Sequence, residues 1–170
     1  MTGYMKSEES NLTEKKTNIK HPYVEIYTDG GCIPNPGKGA WTAILIYGDK
    51  EKVISGYEEQ TTNNRMELKA AVEGLKALKK KCKATIYTDS EYLKKGMTEW
   101  LPIWLKNGWK TTKGRVKNID LWNELISLVE KHEVKWEWVK GHNNHPQNER
   151  CDETVKRIIK EKMNNDKEEK

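Results

Sequence analysis

Ile26-Tyr27-Thr28-Asp29-Gly30 recurs sixty positions later as Ile86-Tyr87-Thr88-Asp89-Ser90, and the reading of this repeated phrase decides the fold. Each copy closes a β-rich run, Tyr23–Thr28 and Ala84–Thr88. Each therefore predicts an aspartate at or just past the C-terminal end of a strand. Two such strands laid parallel and side by side bring Asp29 and Asp89 to one edge of a sheet, the edge at which open α/β sheets form their sites. Carboxylates at close range repel unless they share a proton or a cation. The phrase thus predicts a site as well as a sheet.

Working outward, Gly30–Gly37 is dense in glycine and proline and predicts a loop. Ala40–Tyr47 and Glu51–Glu59 predict two further strands, joined at Gly48-Asp49-Lys50 and antiparallel to their neighbours. Thr61-Thr62-Asn63-Asn64 supplies capping residues for a helix with the stripe Leu68, Ala71, Val72, Leu75 and Leu78. Glu67 has two readings. With Asn64 as N-cap it completes a capping box; alternatively it heads the line Glu67, Ala71, Gly74, Leu78, whose small residues allow close approach to the sheet. Asp89-Ser90 predicts the cap of a short helix through Lys95, Leu101–Lys106 another helix, and Thr111–Lys117 a basic loop. Asp120–Lys131 is amphipathic, with Leu121, Leu125, Leu128 and Val129 inward, and Val134–Val139 is the last strand. Pro146 opens a final helix with the stripe Cys151, Val155, Ile158 and Ile159. Asp152 borders that stripe, either as a site acid or as the ion-pair partner of Lys156 or Arg150. The order β-β-β-α-β-α-α-α-β-α predicts an α/β fold: a five-stranded mixed sheet, three antiparallel strands followed by parallel ones, with helices on both faces.

Composition bounds the rest. In a chain of 170 residues, residues 1–21 and 164–170 are polar and charged and read as disordered tails. Residues 22–163 remain for one domain with one core. Neither a spanning stretch nor an apolar signal region is present, so a soluble, cytoplasmic protein is expected. Cys32, Cys82 and Cys151 are odd in number and widely spaced, as in a reducing compartment. The net charge is +5. Between Lys94 and Lys117, Lys94, Lys95, Lys106, Lys110, Lys113, Arg115 and Lys117 face a single acid, Glu99, with Trp100, Trp104 and Trp109 interleaved. Such a segment suits a phosphate backbone; equally, it describes a solvated face over core tryptophans.

Four acids now stand together: Asp29, Glu67, Asp89 and Asp152. Four carboxylates in one place require divalent cations, and all-oxygen ligands suit Mg²⁺ or Mn²⁺. Two such ions about 4 Å apart would clamp an in-line displacement at phosphorus. His142, His145 and Cys151 offer three zinc ligands, but no regularly spaced fourth follows and Cys151 falls on the core stripe.

The motifs Tyr27-Thr28-Asp29-Gly30, Thr61-Thr62-Asn63-Asn64-Arg65-Met66-Glu67-Leu68, Tyr87-Thr88-Asp89-Ser90, Val116-Lys117-Asn118-Ile119-Asp120-Leu121-Trp122, Trp136-Glu137-Trp138-Val139-Lys140-Gly141-His142 and Asn148-Glu149-Arg150-Cys151-Asp152-Glu153 resemble type 1 ribonuclease H. They occur in order across roughly Tyr23–Lys162. The resemblance implies a ribonuclease H-like fold and endonucleolytic hydrolysis of the RNA strand of an RNA–DNA hybrid, leaving 5′-phosphate and 3′-hydroxyl ends. It implies that Asp29 bridges two Mg²⁺ ions, that Glu67 and Asp89 complete one and Asp152 the other, and that His142 assists proton movement or product departure. It further implies that Asn35, Asn63 and Asn64 lie in the minor groove of the hybrid and that Thr62 belongs to a phosphate pocket. The Lys94–Lys117 segment resembles the family's basic protrusion, with Trp104 near the DNA strand and Lys106, Lys110 and Lys113 on the backbone. A monomer is expected. Gly31, Pro34 and Glu91 depart from the family pattern, and Glu91 adds an acid beside Asp89. Two rival readings are a catalytically silent hybrid-binding module and a related fold that acts on DNA.

Overall fold

The computed structural model describes residues 20–140 and 145–169. Strands β1 (Tyr23–Ile33), β2 (Gly37–Tyr47) and β3 (Lys50–Thr61) are followed by α1 (Asn63–Lys76), β4 (Lys83–Thr88) and α2 (Glu91–Lys95). One π-helical turn, Gly96–Trp100, leads into α3 (Leu101–Lys106) and a short hairpin of β5 (Lys110–Thr111) and β6 (Gly114–Arg115). Helix α4 (Ile119–Lys131), β7 (Glu133–Trp138) and α5 (Pro146–Glu168) complete the chain. The main sheet has the order β3-β2-β1-β4-β7. β1, β2 and β3 pair antiparallel, while β4 runs parallel to both β1 and β7. This is the mixed sheet that the repeated phrase predicts.

The larger core lies between the sheet and the α1/α4 layer. Val24, Ile26, Ala84 and Ile86 from β1 and β4 pack with Leu68, Val72, Leu75, Leu121, Trp122 and Leu125. Helix α5 covers the opposite face at β1 and β2, where Val155 and Ile159 close over Ala40. Strand alternation sends successive side chains to these two layers.

Three local expectations are corrected. Gly30–Gly37 is not a loop: β1 continues to Ile33, and Gly30 to Ile33 pair with Trp41 to Lys38 of β2. Only Pro34-Asn35-Pro36 turns the chain. The glycines serve packing, since a Cβ on Gly30 would stand 2.3 Å from the Met66 carbonyl carbon. Second, the N-cap of α1 is Thr62, whose Oγ1 accepts from the Arg65 backbone N–H at 3.2 Å. Arg65, not Glu67, therefore occupies the position that a capping box would use. Third, the C-terminal stretch expected to be a disordered tail from 164 is helical through Glu168. Lys38 of β2 pairs with Asp166 of this stretch and with Glu59 of β3, and Lys162 lies over the Tyr57 ring, 5.1 Å from its centre. The N-terminal tail expected over 1–21 lies almost wholly outside the described residues. Among the described residues no helix is long and apolar enough to cross a membrane.

Candidate active site

β1 pairs with β2 from Glu25 to its end at Ile33 but with β4 only from Tyr23 to Tyr27. Beyond Tyr27 the parallel strands part. Asp29 stands in that opening, and Asp89 follows the last residue of β4. The sheet changes there from antiparallel to parallel, and a cleft forms at the carboxyl ends of the parallel strands. Glu67 arrives from α1, whose backbone lies against Gly30. The close approach exists because position 30 has no Cβ: an added one would also stand 2.5 Å from the Glu67 nitrogen.

Asp29, Glu67 and Asp89 each place one carboxylate oxygen within 4.8 Å of the others. Asp29 is buried, 6% exposed. Burial raises its pKa to about 7, the Asp89 charge adds to the rise, and hydrogen bonding to Glu67 and the Gly30 backbone opposes it. Burial also lifts Glu67 well above its ordinary value, reinforced by the charges of Asp29 and Asp89. The Glu67 Oε2 is buried without a hydrogen-bond partner among the described residues. Three acids that crowd one another, one with an orphaned oxygen, are the donor set of a hard divalent cation. The residues present therefore fit a divalent cation.

Asp152 faces the same cavity of about 480 Å³ from α5, together with Asn63, Asn64 and Glu91. It stands outside the tight triad, and its Oδ2 pairs with Lys156 at 2.9 Å. The ion pair with Lys156 is present, and the same side chain borders the cavity. Glu91, exposed at the start of α2, borders the cavity without joining the triad. His142 lies outside the described residues. Of the zinc alternative, Cys151 is buried with its thiol on the Tyr27 carbonyl at 3.4 Å. Burial pushes that thiol up to about 12, and Cys151 sits in the core and does not line the cavity.

The predicted substrate residues divide into two groups. Asn35 and Thr62 line a second depression, about 350 Å³, with Asn64, Tyr92, Lys117 and Asn118. The Asn35 Oδ1 accepts from the Asn63 backbone N–H at 3.2 Å, which fixes the turn against the start of α1. Sequence reasoning left Asn118 and Tyr92 without a role. Asn118 sits in the left-handed region at φ 61°. Its Oδ1 accepts from Arg65 at 3.3 Å and its Nδ2 donates to the Tyr92 hydroxyl at 3.2 Å. The signal was its place in Val116–Trp122, a quoted motif with no ionisable group at that position. The second group lies on the protrusion from α2 to β6. Trp104 packs among Trp100, Trp109 and Trp122 at centroid distances of 5.5, 6.0 and 5.4 Å. Lys106, Lys110 and Lys113 are exposed. The tryptophans build the stem, and the lysines cover its surface.

Comparison with known proteins agrees with this geometry. The family model for RNase H matches residues 21–160. Ribonuclease H of Hahella chejuensis is 57% identical over 141 residues, covering 82% of this chain and 95% of that protein. Ribonuclease H of Caldicellulosiruptor saccharolyticus is 56% identical over 140 residues, covering 81% and 97%. The crystal structure of LC9-RNase H1, a type 1 RNase H with the type 2 active-site motif, superposes with a TM-score of 0.74 at 31% identity, covering 84% of this chain and 74% of that one. Since the matched segment contains every described strand together with Asp29, Glu67, Asp89 and Asp152, the chain belongs to the ribonuclease H family.

Proposed function

We propose that the chain is an endonuclease that hydrolyses the RNA strand of RNA–DNA hybrids with the help of divalent cations. The observation that carries this reading is the convergence of Asp29, Glu67 and Asp89 within 4.8 Å, with an orphaned Glu67 oxygen among them. Asp29 would be shared between two Mg²⁺ ions, Glu67 and Asp89 would complete one, and Asp152 the other. A bound cation of this kind supplies Lewis-acid stabilisation of charge on the phosphoryl oxygens. The chain's own residues hold, orient and recognise. Asn35 has its oxygen engaged, so its amide presents N–H donors to the groove, where the ribose 2′-hydroxyl separates RNA from DNA. Asn63 and Asn64 border the cavity of the acids. Thr62 and Asn118 offer polar groups to a backbone phosphate, and the lysines of the protrusion meet further phosphates. Recognition through backbone and groove shape carries little sequence specificity. His142 would move a proton or release product, and its replacement by alanine is expected to slow turnover by about 10²–10⁴-fold without loss of cation binding.

The test offers labelled RNA–DNA hybrid, RNA duplex and DNA duplex to the chain in Mg²⁺ and then in EDTA. Cleavage confined to the RNA strand of the hybrid, and lost in EDTA, is the expected result. Hybrid binding without cleavage would establish the silent module instead.

A further inference from the structure

The motif that opens α5 contains a buried residue that the site has not yet used. Asn148 is 1% exposed. Its Nδ2 donates to the Tyr87 carbonyl at 3.1 Å and, at a longer 3.5 Å, to the Thr28 carbonyl. One amide therefore spans β1 and β4 at the level where their parallel ladder stops, Tyr27 opposite Tyr87. Carbonyls at a ladder's end lack a strand partner, and leaving them buried and unpaired is costly. Asn148 meets two of them with two N–H groups.

Its location gives the contact a second meaning. Thr28 immediately precedes Asp29, and Tyr87 lies two residues before Asp89. Asp152 follows Asn148 by four residues, one turn along the same face of α5. A single side chain thus holds the strand backbone one residue before Asp29 and two residues before Asp89, and shares a helix face with Asp152. We propose that Asn148 is a positioning residue: it sets the separation of the strands that carry Asp29 and Asp89 and the height of Asp152 above them, and so controls cation affinity. The proposal rests on the cation reading given above.

A residue that only stabilises the fold would make the same two bonds, but it would act differently on the folded protein. Loss of a group that orients metal ligands typically lowers metal affinity about 10–100-fold. Loss of a purely stabilising group lowers the melting temperature and leaves the folded site intact. The experiment compares Asn148→Ala, the nearly isosteric Asn148→Asp, and Leu125→Ala. Leu125 is fully buried in the α1/α4 core and does not line the cavity. Each full-length chain is melted in EDTA and then titrated calorimetrically with Mg²⁺, free of substrate and well below its melting temperature. Both Asn148 variants are expected to bind Mg²⁺ about 10–100-fold more weakly, while Leu125→Ala keeps wild-type affinity despite its lower melting temperature. Wild-type affinity in a folded Asn148 variant overturns the proposal, as does failure of both variants to fold. Absence of Mg²⁺ binding by the wild-type chain overturns the cation reading and this proposal together, and the cleavage assay in EDTA separates that case from the first.

Discussion

Asp29 shows how the molecule stores the need for a cation in one side chain. Without a cation its carboxyl titrates at about 7, against an ordinary value of 3.8. The folded state then binds this proton more tightly than the unfolded chain does. Stability from this group is fully present below about pH 4 and is lost as pH rises through 7. In EDTA the melting temperature is accordingly expected to fall between pH 5 and pH 8, and Mg²⁺ to restore most of the loss at pH 8. Asn at position 29 cannot ionise, so Asp29→Asn is expected to be more stable than wild type in EDTA at pH 8, by on the order of 1–3 kcal/mol, and to melt at a higher temperature. Circular dichroism melts across that range, with and without Mg²⁺, check both statements. A melting temperature that rises with pH in EDTA would show that the acids do not repel.

Secondary-structure elements bring the acids together through contacts that local sequence expresses unevenly. Strands β1 and β4 were legible because alternation and the repeated phrase are properties of adjacent residues. Helix α1 was legible from its stripe, but its cap was not: Thr62 and Asn64 are equivalent candidates until the path of the entering strand is known. The Gly30–Ile33 stretch read as a loop because glycine has low strand propensity. Its strand state is set by Met66 and Glu67, more than thirty residues away, which need the missing Cβ. Trp122 is a similar case. It is fully buried, with its indole N–H on the Tyr92 hydroxyl at 2.9 Å, and a Cβ on Gly96 would stand 2.1 Å from its ring. The helical stripe of Asp120–Lys131 did not single it out. The final turns of α5 escaped notice because their composition is polar on every face and their tethers, Lys38 and Tyr57, come from β2 and β3. These close approaches make a definite prediction. Gly30→Ala should force α1 away from β1, cost about 1–3 kcal/mol of stability as an overpacked contact, and reduce cleavage further than the lost stability explains, since Glu67 moves with the helix. Urea melts and cleavage rates on the same preparation measure the two effects; unaltered cleavage would show that Glu67 need not be held so closely.

On the scale of the whole molecule, the acids and the exposed lysines occupy separate regions. The acids occupy a cavity of about 480 Å³, while the lysines stand on the protrusion built by α2, α3 and the β5–β6 hairpin. Family motifs made the four carboxylates legible in the sequence. Asn148 and Asn118 were not, because an amide declares its role only through the carbonyls and hydroxyls the fold brings to it. Replacing Lys106, Lys110 and Lys113 together with alanine should flatten the dependence of hybrid affinity on salt. Each lost phosphate contact lowers the log–log slope by about one unit. Fluorescence anisotropy of a labelled hybrid in Ca²⁺ or EDTA across a salt series reads that slope, and an unchanged value would place the backbone elsewhere. The claim on which everything else depends is that the carboxylate cluster performs metal-dependent hydrolysis of the RNA strand. Its most direct measurement is single-turnover cleavage of an end-labelled RNA–DNA hybrid by wild type and Asp29→Asn, side by side in saturating Mg²⁺. Cutting of the RNA strand by wild type, with new 5′-phosphate ends, and no detectable cutting by a folded, hybrid-binding Asp29→Asn is the predicted result; a wild-type rate in the variant would contradict it.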